Sequence, residues 1–150
     1  MTTLLKVENL TKAFGEKVIL NSLNFDVHAG EIFGVIGLSG SGKTTLLNTL
    51  VGFHLPEDGD VFLKTQNHNF SNLSDRHNDI KNYIGMAPQQ SSFYPKLTVK
   101  ENLQHYAALH GLSNNVIENN IDYLITLVGL EDSMDKLAKD LSGGMQKRLG

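Results

Sequence analysis

Gly37-Leu38-Ser39-Gly40-Ser41-Gly42-Lys43-Thr44-Thr45 decides how this chain is read. The first eight residues fit the pattern G-x-x-x-x-G-K-[ST], and Thr45 extends it. Glycines permit backbone angles that a Cβ penalises, so consecutive N–H groups can turn inward around an anion. A helix opening at the loop's end aims its unpaired amides and positive dipole at the same point. Lys43 has the reach and charge for β- and γ-phosphates, and the Thr44 hydroxyl is a Mg²⁺ ligand type. The bland alternative is a glycine-rich turn between a strand and a helix, which has no use for Lys43-Thr44. A dinucleotide loop has no use for them either.

The flanking residues suit that reading. Upstream, Glu31 to Gly37 carries Ile32, Phe33, Val35 and Ile36, an apolar run that predicts a strand covered on both faces. Downstream, a helix opening near Gly42 carries Leu46, Leu47, Leu50 and Val51 and ends at Gly52 and Pro56. Toward the N-terminus, Leu4 to Val7 and Val18 to Val27 read as strands around a turn at Gly15-Glu16. Asp58-Gly59 turns into a strand at Val61 to Leu63. Residues 65 to 80 read as a polar loop with room for one helical turn, and Tyr83 to Ala87 as a further strand closed by Pro88.

The second half reads as helical. Thr98 and Glu101 have capping-box spacing, and Val99, Leu103, Tyr106 and His110 share a face before Gly111. Ile117, Ile121, Leu124 and Val128 repeat the pattern, with Gly129 as the stop. Leu141-Ser142-Gly143-Gly144 then leads into a basic helix.

Composition narrows the function classes. The 150 residues carry a net charge of -3 with no basic run, which gives no electrostatic footprint for nucleic acid. Cysteine is absent, so disulfides and thiolate metal sites are excluded. The N-terminus has no signal-peptide pattern, and no apolar stretch is long enough to span a bilayer. His105 and His110 are off the spacing that puts two metal ligands on one helical face. The Asn69 and Asn72 sequons carry nothing without a secretory signal, and Glu131, Asp132 and Asp135 read as a solvated face.

About a hundred residues past the phosphate loop stands Leu141-Ser142-Gly143-Gly144-Met145-Gln146. It resembles the LSGGQ signature of ATP-binding-cassette (ABC) ATPases, with Met145 at the fifth position. Met86-Ala87-Pro88-Gln89 resembles the family's Q-loop, with Gln89 as its glutamine. Leu97-Thr98-Val99-Lys100-Glu101-Asn102-Leu103 resembles the opening of its helical subdomain. Phe14 stands where the family places an adenine-stacking aromatic, and edge-of-core packing is the competing reading.

The resemblance covers the whole chain and implies an α/β fold of the P-loop NTPase, ABC ATPase type. Its parts are an N-terminal antiparallel β portion, a partial core sheet bearing the phosphate loop, and a helical subdomain. Residues 1–90 are expected to be the β-rich nucleotide-binding part, 91–141 the helical subdomain, and 141–150 the signature with the start of the following helix. By the same resemblance, ATP and Mg²⁺ are the cofactors. Phe14, Gly37, Ser39, Gly40, Ser41, Gly42, Lys43, Thr44 and Thr45 hold the nucleotide, and Thr44 and Gln89 serve the metal. Lys43 and Gln89 serve hydrolysis, and Ser142, Gly143 and Gly144 close on the γ-phosphate of a second, head-to-tail nucleotide-binding domain.

The implied partner is a transmembrane permease subunit, which places the protein on the cytoplasmic face of the membrane. Export is favoured over import by the stretch around Tyr94 to Leu112. Phe93, Tyr94 and Leu97 either line the docking groove or belong to the subdomain core. The alternatives are a soluble ABC ATPase acting on DNA or the ribosome, disfavoured by the compact segment from Gln89 to Leu141, and a remnant that only binds nucleotide. The family's Walker B strand, catalytic Glu and switch His all follow the signature. The 150 residues are therefore expected to be a fragment that does not turn over alone, with unpaired buried-type strands.

Overall fold

Thr3–Phe14 (β1) and Lys17–His28 (β2) pair antiparallel across Gly15-Glu16 in the computed structural model of the chain, which describes residues 1–64, 70–73, 83–90 and 92–150. Both strands break their two-residue alternation at one level. Inward residues run Leu5 and Val7, then Leu10; across the ladder they run Leu20, then Leu23 and Phe25. Asn9 (φ 51°) and Ser22 (φ 48°) absorb the extra residue as bulges, so both strands return to the same face.

Helix α1 (Lys43–Leu50) follows, then β3 (Asp58–Lys64) and β4 (Phe70–Asn72). Among the described residues these strands make one antiparallel sheet of order β2-β1-β3-β4. Gly59 (φ 80°) admits β3 beside the β1 bulge, because a Cβ there would overlap the Asn9 carbonyl. Leu46 and Leu50 of α1 lie on the cluster formed by Val7, Leu10, Leu20, Val61 and Leu73. Each fully buried aliphatic side chain contributes roughly 1.5–3 kcal/mol.

Two compact units divide the chain, Met1–Met86 and Ala87–Gly150. In the second, α2 (Val99–Leu109), α3 (Asn114–Val128) and α4 (Gly143–Leu149) are joined through 3₁₀ turns at Glu131–Ser133 and Ala138–Asp140. Val99, Ile125, Leu130 and Leu141 form its core. Thr98 and Glu101 make the expected capping box, and Gly129 closes α3 in the left-handed conformation. Arg148 of α4 donates to the Val128 and Gly129 carbonyls, satisfying that helix end.

The structure corrects three element readings. Glu31–Gly37 and Tyr83–Ala87 form no strand, although their apolar runs predict one. Ile32 and Ile36 are 101% and 97% exposed. A strand exists only through hydrogen bonds to a neighbour, and among the described residues none runs beside either segment. Phe33 finds its contact instead in a ring stacked on Phe25 at 5.0 Å. Within 65–80, Phe70–Asn72 pairs with β3 where a loop is expected. Residues 65–69 and 74–80 of that stretch, with Asn69, lie outside the described residues.

Candidate phosphate-binding site

The loop before α1 is bent, not extended. Gly40 (φ 79°) and Gly42 (φ 94°) both take the left-handed conformation, and Ser41 N donates to Leu38 O across a turn. Gly42 is the N-cap of α1, and no side chain caps that end. A Cβ on Gly42 lies 2.8 Å from Ile19 Cγ2 of β2, so glycine is required for the helix mouth to sit on the sheet. Among the described residues, Ser41 is the one residue from Ser39 to Thr45 whose amide donates within the chain. The amides of Gly40, Gly42, Lys43 and Thr44 therefore remain open to an anion.

Lys43 folds back over this loop. Its ammonium donates to Gly37 O at 2.9 Å and Leu38 O at 2.7 Å, with Ser41 Oγ at 3.5 Å. A cation thus stands beside the open amides, held by neutral carbonyls that a phosphate oxygen outcompetes. Phe14, Ile19, Gly40, Gly42, Lys43, Thr44 and Thr45 line one cavity of about 200 Å³. Phe14 is half exposed and stands outside the hydrophobic cluster of the sheet. The expected ligands Gly37 and Ser41 border the Lys43 ammonium, and Ser39 is exposed at the bend.

The remaining expected residues lie in the second unit. Gln89 is exposed just after Pro88. Ser142 caps α4, its hydroxyl accepting from Met145 N at 3.3 Å, and Gly143 and Gly144 are exposed with open space where a Cβ would stand. Met145, at the position where LSGGQ has glutamine, packs on the unit's core. Tyr94 is exposed and forms an aromatic cluster with His105 and Tyr106. Among the described residues no group of three acidic, His or Cys side chains is arranged to hold a metal, and no helix is long and apolar enough to cross a membrane.

The model of the ABC transporter family matches residues 20–150. The chain belongs to that family. Among curated ABC relatives, it is 34% identical over 149 residues to the Nod factor export ATP-binding protein I of Cupriavidus pinatubonensis, covering 99% of this chain and 44% of that one. It is 33% identical over 144 residues to the maltose/maltodextrin import ATP-binding protein MalK of Escherichia coli, covering 96% and 37%. Among solved structures, an ATP-binding subunit of an ABC transporter superposes with a TM-score of 0.81 at 27% identity, over 98% of this chain and 59% of that chain. CbiO1 of Clostridium perfringens, part of the ABC transporter complex cbiONQ, superposes at 0.84 with 24% identity over 99% and 59%, a likeness of fold. The chain spans less than half the length of the two curated relatives. Its fold is the α/β P-loop type of ABC ATPases.

Four residues around the cavity escape the sequence reading: Ile19 under Gly42, and Lys12, His54 and Glu57 around Phe14. Lys12 carries a faint signal, since residues two apart on a strand share a face. His54 reaches Phe14, and Glu57 reaches Lys12 and Ala13, from forty or more positions away, which no local pattern records.

Proposed function

We propose that the chain binds ATP at the mouth of α1 and that, in the intact transporter, hydrolysis there drives a substrate across a membrane through a partner permease. The observation that carries this is the set of open amides of Gly40, Gly42, Lys43 and Thr44 beside the Lys43 ammonium, in a cavity shared with Phe14. In this reading the amides hold the phosphates, Lys43 leaves its carbonyls for the β- and γ-phosphates, and Phe14 stacks on adenine. Thr44 and Gln89 are the residues to hold Mg²⁺, which neutralises phosphate charge when bound. The half-exposed Phe14 ring supports stacking over core packing.

The reading extends to the assembly. Residues 1–90 serve as the nucleotide part, 91–141 as the helical subdomain and 141–150 as the signature. Ser142, Gly143 and Gly144 meet the nucleotide of a second, head-to-tail copy, supported by their exposure at the N-terminus of α4. The permease holds the protein at the cytoplasmic face, and nucleic acid is no partner. Export is the direction favoured, supported by the Nod factor export relatives and the stretch Tyr94 to Leu112. Import is the second reading, because the maltose import protein matches at 33% against 34%.

Titration of the full-length protein with labelled ATP tests the site. Lys43→Ala lowers affinity by on the order of 100-fold or more; unchanged binding refutes the role given to Lys43. Ser142→Arg leaves binding by one copy intact and removes ATP-dependent dimerisation on size exclusion. A dimer that persists removes the signature assignment. Co-purification with a polytopic membrane protein, as opposed to ribosomes or DNA, separates a transporter subunit from a soluble ABC ATPase.

A further inference from the structure

Phe14 is 50% exposed, so burial alone does not fix its ring at the cavity mouth. The segment 54–57 does what burial leaves undone. Glu57 N donates to Thr11 O at 3.0 Å. The two Glu57 carboxylate oxygens divide their work: Oε2 accepts from Ala13 N at 2.7 Å and Oε1 from Lys12 Nζ at 2.7 Å. Lys12, 8% exposed, donates also to Leu55 O at 2.8 Å, and its ammonium stands 5.2 Å from the centroid of the Phe14 ring. His54 meets that ring edge-on at 5.4 Å and 84°. The backbone on the N-terminal side of Phe14 is thus tied at Thr11 and Ala13, the Lys12 side chain between them is anchored on the same segment, and the ring has a cation and an imidazole as neighbours.

We infer that Lys12 and Glu57 are positioning residues of the nucleotide site: they hold the Ala13-Phe14 backbone and the Phe14 ring in place for the nucleobase, and leave the phosphate loop unaffected. This rests on the stacking role proposed for Phe14. A pre-set ring loses little freedom when a base stacks on it, whereas a free half-exposed ring must be ordered at that moment. The clamp therefore acts on the base-dependent part of affinity. Inorganic tripolyphosphate, which has no base, does not sense it.

The test compares dissociation constants for ATP and for tripolyphosphate in the full-length protein. Phe14→Ala weakens ATP by roughly 5- to 100-fold, the range for loss of one base–aromatic stack, and leaves tripolyphosphate unchanged. Glu57→Gln keeps the shape but has one acceptor oxygen for two donors, and it weakens ATP by roughly 3- to 10-fold with tripolyphosphate again unchanged. Lys12→Met behaves likewise and Lys12→Arg restores affinity; because Lys12 is nearly buried, the half-exposed Glu57→Gln decides if Lys12→Met misfolds.

These 150 residues hold no tryptophan, so Phe14→Trp, excited at wavelengths too long for tyrosine and with any tryptophan elsewhere in the protein replaced, reports on the ring position. Adding Glu57→Gln to it lowers the anisotropy before nucleotide is present. If Phe14→Ala has no effect on ATP, the stacking reading falls and takes this one with it. If Phe14→Ala weakens ATP and Glu57→Gln does not, only the positioning role is overturned. Equal loss of ATP and tripolyphosphate in Glu57→Gln, or an unchanged anisotropy, overturns it as well.

Discussion

The mouths of α1 and α2 are built in opposite ways. At α2 the Thr98 hydroxyl accepts from Glu101 N at 3.1 Å, and the Glu101 carboxylate accepts from Thr98 N at 2.7 Å. Two orphan donors are satisfied inside the chain. At α1 the cap position is Gly42 in the left-handed conformation, with no side chain to accept from any amide. One helix closes its own positive end, and the other leaves it for something outside the chain. The mouth of α4 stands between them: Ser142 takes up Met145 N, while Gly143 and Gly144 stay exposed. A helix N-terminus keeps its amides free for an anion to the extent that the sequence withholds the residues that would cap it.

The largest effect comes from giving α1 the kind of cap α2 has. Gly42→Asp puts a carboxylate where the anion is expected and a Cβ 2.8 Å from Ile19 Cγ2. Strain at φ 94° costs about 1–3 kcal/mol, the contact with Ile19 adds to it and the new cap returns about 1, so urea unfolding shows a net loss of at least about 1 kcal/mol. ATP affinity falls by on the order of 100-fold, because the amides are taken and the local charge is reversed. Retained ATP binding in this variant removes the open mouth as the basis of the site.

The next effect lies behind the closed mouth. Asn102, 1% exposed on α2, accepts from Tyr94 N at 2.7 Å and donates to Tyr94 O, Leu97 O and Thr98 O. It fastens the approach to the capping box; Asn102→Ala leaves the Tyr94 amide without its acceptor and takes a second donor from three carbonyls that each keep one backbone donor. A loss of about 2–3 kcal/mol in denaturant unfolding is expected. A value near zero places the fastening elsewhere. Thr98→Ala costs about 1 kcal/mol through the cap alone. It creates no phosphate affinity at α2, where Glu101 adds negative charge to the first turn and the Val99 and Lys100 amides already donate to Lys136 O and Met134 O.

How much of this was legible follows from where each partner sits. The phosphate loop, the capping box at Thr98 and the stop at Gly129 are local patterns, read from neighbours within a few positions. The strand reading of Glu31–Gly37 is different. Hydrophobicity reports that Ile32 and Ile36 suit a covered strand, but a ladder needs a second backbone that the sequence run does not contain. The bulges at Asn9 and Ser22 are also hard to read, because asparagine tolerates positive φ but does not require it and serine gives no such signal. Lys12 and Glu57 were missed because their meeting depends on β3 folding back along β1.

The smallest effect is the most direct comparison of the two mouths, because it titrates one of them. The Thr98 amide, then the Thr98 hydroxyl, hold the Glu101 carboxyl below its ordinary value of 4.5. A carboxyl lowered by folding binds its proton less readily in the native state than in the unfolded one. Its contribution is therefore fully present above the ordinary glutamate value, and it declines as pH falls below that value and through the lowered one. Glu101→Gln should flatten that part of the unfolding-against-pH curve between about pH 5 and 3 and leave the curve above pH 6 parallel to wild type. Glu57 is lowered too, by Lys12 and then by Ala13 N, so its own contribution also declines in acid and remains in the Glu101→Gln curve. Gly42 has no ionisable side chain, so the mouth of α1 adds nothing to that slope. Loss of the whole acid slope in Glu101→Gln would mean that Glu57 contributes nothing to it, and would leave the α2 capping box as its sole source.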